Sequence, residues 1–427
     1  MKFWVIHAQE NPELEHSQGG GREWRSNGLA RLLAERGHDV VRWRSSFSHR
    51  DKNFLVDGSV AKSTQNYVTQ FLYGPAYARH VGLRRIKHHQ ALGHSFASVA
   101  QHYIDRGERP DLIHVCNVPT ELCVSAVKFA KKNDIPVLVD IRDLWPDIYA
   151  DLIPESVGFL RDPAARLLNR ASLPLRRALK EATGITALTE SYLNWGLATG
   201  DRRPGTCDGI FPMMYPVQKA EPAVDILDQL RETLNLAPGD VVASYAGNIG
   251  YQSDFDLVIE AANLVRRKHP NLKVVIAGSG PRSSELKAKF ASNRNVLFPG
   301  WLDGDQLSAL LHLSDIGLIA YKPIKNFLLN VPNKFSEYLA SGMAVACSIE
   351  GEMGSLVREN KCGFVYSDHP LEQLTEGLSE LARDVELRKK MQKASRDLHR
   401  LRFDRNTVMP KFADHLEYVA MARESDE

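Results

Sequence analysis

The chain has 427 residues, 43% hydrophobic and 25% charged, and a formal charge of +2. That is ordinary globular composition with room for two or three domains. It lacks the basic field that nucleic-acid binding needs, so no nucleic-acid partner is expected.

The five cysteines (Cys116, Cys123, Cys207, Cys347, Cys362) make no C-x-x-C pair and no metal-ligand spacing. Four lie in or beside apolar stretches, as reduced core thiols do. Met1-Lys-Phe-Trp-Val-Ile-His7 has no long apolar h-region and reads as a first strand, not a signal peptide. No apolar run approaches the roughly 18 residues that span a bilayer. A cytoplasmic location is expected.

The first half alternates strands and helices. After the strand Phe3–His7 come a loop with Gly19, Gly20 and Gly21 and a helix over 22–36, striped by Leu29, Leu32 and Leu33. Asp39–Trp43 is the second strand. Residues 45–80 read as a long irregular loop with scattered aromatics, a kind of segment that is usually functional or mobile. Helical spacing resumes over 86–106. Leu112–Cys116 is a strand, Glu121–Lys132 a helix and Val137–Ile141 a strand, followed by Asp143-Leu-Trp-Pro-Asp147 and a basic amphipathic segment over 160–182. Ile185–Leu188 closes this half. Residues 199–224, rich in Gly, Pro and Asp, read as the linker.

The second half restarts with the strand Val241–Ala246 and Gly247-Asn-Ile-Gly250, then a helix over 255–267, the strand Lys273–Ala277 and Gly278-Ser-Gly-Pro281. Further strands are expected at 296–298, 316–320, 344–348 and 364–366, with helices between them and over 370–398. Short-looped alternation of this kind means right-handed crossovers and parallel sheets. The expected fold is therefore α/β, with two Rossmann-like domains facing across a cleft. The boundaries are 1–200, a linker at 201–224, 225–400, and a last helix in 401–427 that can pack back on the N-terminal domain.

The stretch Pro332-Asn-Lys-Phe-Ser-Glu-Tyr-Leu-Ala-Ser-Gly342 carries the strongest chemical signal. Pro332 opens a helix, Phe335, Tyr338 and Leu339 share its apolar face, and Gly342 ends it. Lys334 beside free N–H groups at a positive helix end makes an anion site, and Glu337 one turn later can accept two ribose hydroxyls. A solvated first-turn lysine and a surface glutamate are the plain alternatives. Gly19–Gly21 permit close backbone approach before a helix start, and a flexible turn is their alternative. Arg142 and Asp143 follow a strand, at the edge where open α/β sheets place ligands. An N-cap Asp with a structural Arg would look the same. Thr189 and Glu190 hold the equivalent position after the next strand. His7 and His114 read as satisfied core histidines. Residues 67–90 and 160–180 interleave apolar and basic side chains, which suits an anionic membrane surface as well as a helix packed on a sheet.

Taken in order, Gly19-Gly-Gly21, Arg36-Gly-His38, Arg142-Asp-Leu-Trp-Pro-Asp147, Tyr245-Ala-Gly-Asn-Ile-Gly250, Ala277-Gly-Ser-Gly-Pro281, Pro299-Gly-Trp301 and the Pro332–Gly342 stretch resemble the retaining, nucleotide-sugar-dependent glycosyltransferases of the GT-B fold. The nearest group is the family-4-like bacterial one that builds O-antigen, capsule and exopolysaccharide. The resemblance implies a hexosyltransferase with the acceptor on the first domain and a nucleotide-sugar co-substrate, UDP-linked rather than GDP-linked, on the second. No separate cofactor and no metal are implied.

Lys334 then becomes the leading pyrophosphate ligand, with Arg282 second. Glu337 takes the ribose, and Asn333 can hydrogen-bond the donor. Gly247, Asn248 and Gly280 belong to the phosphate-facing turns, while Trp301 and Leu302 frame the base. Asp143 would orient or deprotonate the acceptor hydroxyl, and Arg142 would bind an acceptor phosphate or sugar. The acceptor would be a saccharide, including one linked to polyprenyl diphosphate, with the chain peripheral on the inner face of an anionic membrane. Two family features are missing. Leu329 stands where the first glutamate of a Glu-x7-Glu pair is often found, and no Arg or Lys follows Gly250 within the loop. A non-hydrolysing nucleotide-sugar epimerase and a catalytically inactive nucleotide-sugar-binding protein remain the alternatives.

Overall fold

The computed structural model describes residues 1–10, 24–49, 51–64, 67–78, 82–147, 171–216, 221–290, 293 and 295–422. They divide into two compact units. One takes the described residues up to Pro212 and those from Val408 onward, and the other runs from Met213 to Thr407.

Among the described residues the first unit holds β1 (Lys2–Ile6), β2 (Asp39–Ser45), β3 (Ala61–Ser63), β4 (Val68–Leu72), β5 (Leu112–Cys116), β6 (Val137–Ile141), β7 (Gly184–Ala187) and β8 (Gly209–Ile210). They form one sheet in the order β3-β4-β2-β1-β5-β6-β7-β8, parallel throughout except that β3 runs against β4. β5 and β6 are buried along their whole length, which is why they read as near-continuous apolar runs.

Trp4 of β1 and Trp43 of β2 meet at 4.8 Å under the helices Leu83–Asp105 and Thr120–Lys132, where Phe96, Tyr103 and Phe129 close around them. Strand alternation turns His114, Asp140 and Thr186 to the other face. There the last helix, Arg405–Met421, brings Phe412 to 5.3 Å from the His114 ring and stacks it on Phe211 at 4.3 Å. Arg36 reaches Asp414 (2.8 Å) and Glu417 (3.0 Å), and His38 meets Glu417 at 2.9 Å. The Arg36-Gly-His38 segment thus clamps this helix.

Two sequence expectations change here. Residues 45–80 are not a long loop, because β4 pairs with β2 and β3 with β4. Val68-Thr-Gln-Phe-Leu72 is apolar enough for burial but too mixed to show a strand period. The linker is also shorter than 201–224. Gly209-Ile210 adds to the sheet beside β7, and a Cβ on Gly184 would stand 2.1 Å from the Cys207 carbonyl oxygen. At the far end, the helix Val224–Thr233 already packs into the second unit's core.

The second unit holds β9 (Val241–Asn248), β10 (Leu272–Ser279), β11 (Val296–Gly300), β12 (Ile316–Ile319), β13 (Ala344–Cys347) and β14 (Gly363–Val365), in the order β11-β10-β9-β12-β13-β14 and all parallel. The parallel run gathers the turns after β9, β10, β11 and β12 at one edge. The helix Asn333–Ala340 packs Phe335, Tyr338 and Leu339 into the core, with Pro332 at its N-cap and Gly342, at φ +71°, turning the chain into β13. No helix among the described residues is long and apolar enough to cross a membrane.

Candidate functional site

The turns after β9 and β10 are built against each other. The two strands stay in register to their ends, Gly278 beside Gly247 and Ser279 beside Asn248. A Cβ on Gly278 would stand 1.9 Å from the Gly247 carbonyl oxygen, and one on Gly280 would stand 2.4 Å from that of Ile249. Only glycine fits this approach, and both Gly247 and Gly278 take positive φ. Ile249 N–H donates to Ser279 O, and Arg282 N–H to Ile249 O. The predicted Gly247, Asn248 and Gly280 are thereby brought into one platform.

Lys334 enters that platform from the helix Asn333–Ala340. A Cβ on Gly247 would lie 3.0 Å from its Nζ. The residue is buried, and its ammonium sits 3.4 Å from the centre of the Tyr245 ring and 5.4 Å from that of Tyr321. Burial pushes the Lys334 amine down to about 7, with Glu337, one turn on and also buried, acting in the opposite sense. Burial also raises both phenols, Tyr245 to about 12, so the two rings are neutral at physiological pH. Asn333 sits one residue before Lys334, its Oδ1 buried without a hydrogen-bond partner among the described residues. A buried lysine, a carboxylate and an amide oxygen beside a backbone turn can bind an anion and a polyol together.

Arg282 is placed differently. Its guanidinium is bound by Asp256 (2.6 Å) and Glu285 (2.9 Å), so it braces two helix starts and is not left free over the platform. Trp301 follows β11 and is 61% exposed, while Leu302 packs on the core beside it. Gly19, Gly20, Gly21 and residues 160–170 lie outside the described residues.

In the first unit, Arg142 and Asp143 follow β6 as expected, but Arg142 turns inward. Its guanidinium donates to Glu10 at 2.9 Å and its N–H to Asn117 Oδ1 at 3.0 Å, while Asn117 donates on to the Asp143 carbonyl. Glu10 also takes the N–H and hydroxyl of Ser26 and lies 3.6 Å from the Arg42 guanidinium. Beside this, Arg25 pairs with Asp140 at 3.1 Å, and Asp140 accepts from the Thr186 hydroxyl at 2.8 Å. Burial alone would raise both carboxyls. His7, Arg142 and Arg42 overcome it at Glu10, and Arg25, His114 and Arg142 at Asp140, so both carboxyls titrate below their ordinary range. His7 Nδ1 accepts from the N–H groups of Gln9 and Glu10, a turn-holding role. Thr189 caps the helix Glu190–Thr199.

This buried network was not anticipated. Its signal was present, since a charged residue inside a buried strand, as in Val-Leu-Val-Asp-Ile or Val-Val-Arg-Trp-Arg, must be paired. Tyr245 and Tyr321 were missed too, because nothing in a strand's tyrosine announces a lysine from a distant helix.

A groove of about 910 Å³ opens between the starts of the helices Leu83–Asp105 and Thr120–Lys132, lined by Leu83, Ile86, Val124, Trp145 and Pro174, with Arg85 and Lys128 among its cations. Arg85 lies over the Trp145 ring at 5.0 Å. Leu83 is 77% and Ile86 45% exposed. Of the aromatics in 67–90, Tyr67, Phe71 and Tyr77 are core residues, while Tyr73 is exposed. Among the described residues no group of three or more His, Cys, Asp or Glu side chains is arranged to hold a metal ion. The five cysteines are free, four of them buried.

Comparison with known proteins agrees with this architecture. Residues 228–398 match the family "Glycosyl transferases group 1", and residues 20–200 match "Glycosyl transferase 4-like domain". A putative colanic acid biosynthesis glycosyl transferase of Escherichia coli K12 is 25% identical over 252 residues, covering 58% of this chain and 60% of its own length. The chain therefore matches less than two thirds of that relative. Among solved structures, sucrose-phosphate synthase of Thermosynechococcus elongatus superposes with a TM-score of 0.69 at 14% identity, covering 99% of both chains. HepE of Anabaena in complex with UDP and glucose gives 0.66 at 13% identity, over 98% of this chain and 99% of its own. The two family matches fall one on each half, over a fold shared from end to end, and the chain belongs to the glycosyltransferases of the GT-B fold.

Proposed function

We propose that the chain transfers a hexosyl group, with retention of anomeric configuration, from a UDP-sugar held by the second unit to a saccharide acceptor held by the first. The observation that carries this reading is the buried Lys334 ammonium beside the Gly247 turn, with Glu337 one helical turn further on. When the bond between the sugar's anomeric carbon and the diphosphate oxygen breaks, the electron pair stays on the diphosphate. A fixed cation and aligned N–H dipoles stabilise that charge, so the departure needs no resident metal. Retention calls for attack from the face the diphosphate leaves. The acceptor oxygen forms the new bond while its proton passes to a phosphate oxygen. That step demands orientation and no protein nucleophile.

UDP is supported by the fold shared with HepE, a structure that holds UDP and glucose. A surface-polysaccharide acceptor is supported by the name of the Escherichia coli relative. Asp143, at the carboxyl edge of β6, orients the acceptor hydroxyl in this reading, and the groove beside Trp145 takes the apolar part of a lipid-linked acceptor at an anionic inner membrane face. Arg142, committed to Glu10, acts by holding this edge together.

The test is a panel of UDP- and GDP-sugars screened by thermal shift, followed by transfer to a polyprenyl-diphosphate-linked saccharide with chelator present. UDP-sugars should stabilise the chain, and Lys334→Ala and Glu337→Ala should each abolish transfer with the fold intact. Full activity in both variants would remove the site assignment. Conversion of the donor with no acceptor present would point instead to an epimerase.

A further inference from the structure

We propose that Tyr245 is a positioning residue of the donor site: its ring face, flanked by Tyr321, holds the Lys334 ammonium against the Gly247 turn before the nucleotide's diphosphate arrives. The inference rests on the reading of Lys334 as the diphosphate ligand and adds what makes that lysine ready.

A lysine has a flexible four-carbon stem and ordinarily keeps its head in water. Lys334 does neither. Its Nζ lies 3.4 Å from the Tyr245 ring centre and 5.4 Å from that of Tyr321, within the range where a ring's quadrupole attracts a cation. The groups that face it are Tyr245 from β9, Tyr321 from the turn after β12, and Glu337 from its own helix. Both rings are themselves held. Tyr245 is buried, meets Phe255 edge-on at 4.8 Å and donates its hydroxyl to the Asn248 carbonyl at 2.8 Å. Tyr321 stacks on Phe327 at 4.1 Å, and its backbone bridges to Ser253.

One residue therefore does two things. Its hydroxyl ties down the turn that approaches the phosphates, and its face stores the cation next to that turn. With no Arg or Lys in Gly250-Tyr-Gln-Ser-Asp-Phe-Asp256, a single lysine has to be in place without the help of a second cation there. Ordering it in advance removes part of the cost of binding.

Ring fluorination separates this role from packing, because it drains the ring face while nearly preserving its shape. Tyr245→Phe in the full chain serves as reference, and phenylalanines carrying successively more fluorine are placed at the same position. Affinity for UDP and for GDP is measured by calorimetry from pH 6 to 9. Affinity should fall stepwise with fluorination, about tenfold at pH 7 for the most fluorinated ring. The alkaline pH at which binding weakens should move down in the same order. Fluorinated proteins that bind as tightly as the Phe reference at every pH would overturn the proposal. Lys334→Ala run in parallel keeps the two claims apart. If it binds like the wild type, or if the wild type binds neither nucleotide, the donor-site reading fails and this inference with it. If Lys334→Ala loses binding and fluorination changes nothing, only the role of Tyr245 fails.

Discussion

Glu10 accepts from Arg142 at 2.9 Å and from the Ser26 hydroxyl at 3.0 Å, and it also lies 3.6 Å from the Arg42 guanidinium. Removing one partner of a buried pair strands the other charge and costs about 3–5 kcal/mol. Glu10→Ala should therefore destabilise the first unit by about that much, whereas Glu10→Gln keeps an acceptor for Ser26 and should cost roughly half. Urea unfolding followed by tryptophan fluorescence checks this, since Trp4 and Trp43 lie in the same unit. A loss below about 1 kcal/mol for the alanine variant would mean that water replaces the carboxylate and the network is not structural.

The same unit should be acid-sensitive earlier than its carboxylates require. Burial pushes His114 down to about 4 and His7 down to about 3. An unfolded histidine titrates near 6.5. Between the folded and unfolded values the unfolded chain binds protons that the folded chain does not. Stability must then fall as pH drops below about 6.5, by up to roughly 1.4 kcal/mol per pH unit for each histidine. Glu10 and Asp140 act in the same direction, further down the pH scale. Their folded values are depressed, so their contribution is complete above about pH 4 and is lost only below it. Melting temperature should begin to decline near pH 6.5 and steepen below 4, and His114→Gln should flatten the upper part of that decline. A melting temperature constant from pH 7 to 5 would contradict the burial of both rings.

The strand–helix alternation was legible because each buried strand is a compact apolar run and each helix carries a stripe. What could not be read was pairing. β3 is fully exposed, so nothing in Ala61-Lys-Ser63 sets it apart from a loop. Gly209-Ile210 joins the sheet through backbone bonds that any residue could make. Lys334 and Glu337 were legible because a lysine and a carboxylate at a proline-led helix start form a local pattern. Their shelf was not, since Tyr245 in β9 looks like any core aromatic. Arg282 was overvalued for a related reason. Its cation was visible in the sequence, but its claim by Asp256, from a different helix, was not.

Lys334 sets stability against function. Its amine is lowered from 10.5 to about 7 by burial, so between those values the folded chain binds fewer protons than the unfolded one. Keeping Lys334 buried therefore costs stability from about pH 10 downward, and the full cost is reached below about 7. Lys334→Met keeps the length of the side chain and removes that cost. It should raise stability by about 1–2 kcal/mol at pH 7, the cation–ring attraction offsetting the remainder. Transfer should fall by about a hundredfold or more, as expected when a fixed cation is lost from a leaving group. Thermal melts and initial rates on the same preparation give both quantities. A variant that is less stable as well as inactive would mean that the ammonium pays its way in the unliganded chain through partners other than the two rings and Glu337.

Leu83 and Ile86 expose apolar surface at the start of a helix whose neighbours are Arg84, Arg85 and Lys87, on the rim of the groove beside Trp145. Inserting such a rim into a bilayer surface gains from apolar burial and from attraction of the cations to anionic lipid. A fully buried Leu or Ile contributes about 1.5–3 kcal/mol, and each tenfold in partition needs about 1.4 kcal/mol. Leu83→Ser with Ile86→Ser should therefore weaken binding to anionic vesicles by about tenfold or more, while transfer to a soluble saccharide acceptor is retained. Raising the salt should weaken the wild type as well, because the cations act through a screened field. Co-sedimentation with vesicles of anionic and of neutral phospholipid separates the two contributions. If the double variant sediments like the wild type at every salt concentration, the rim does not meet the membrane, and the groove is left to a soluble acceptor.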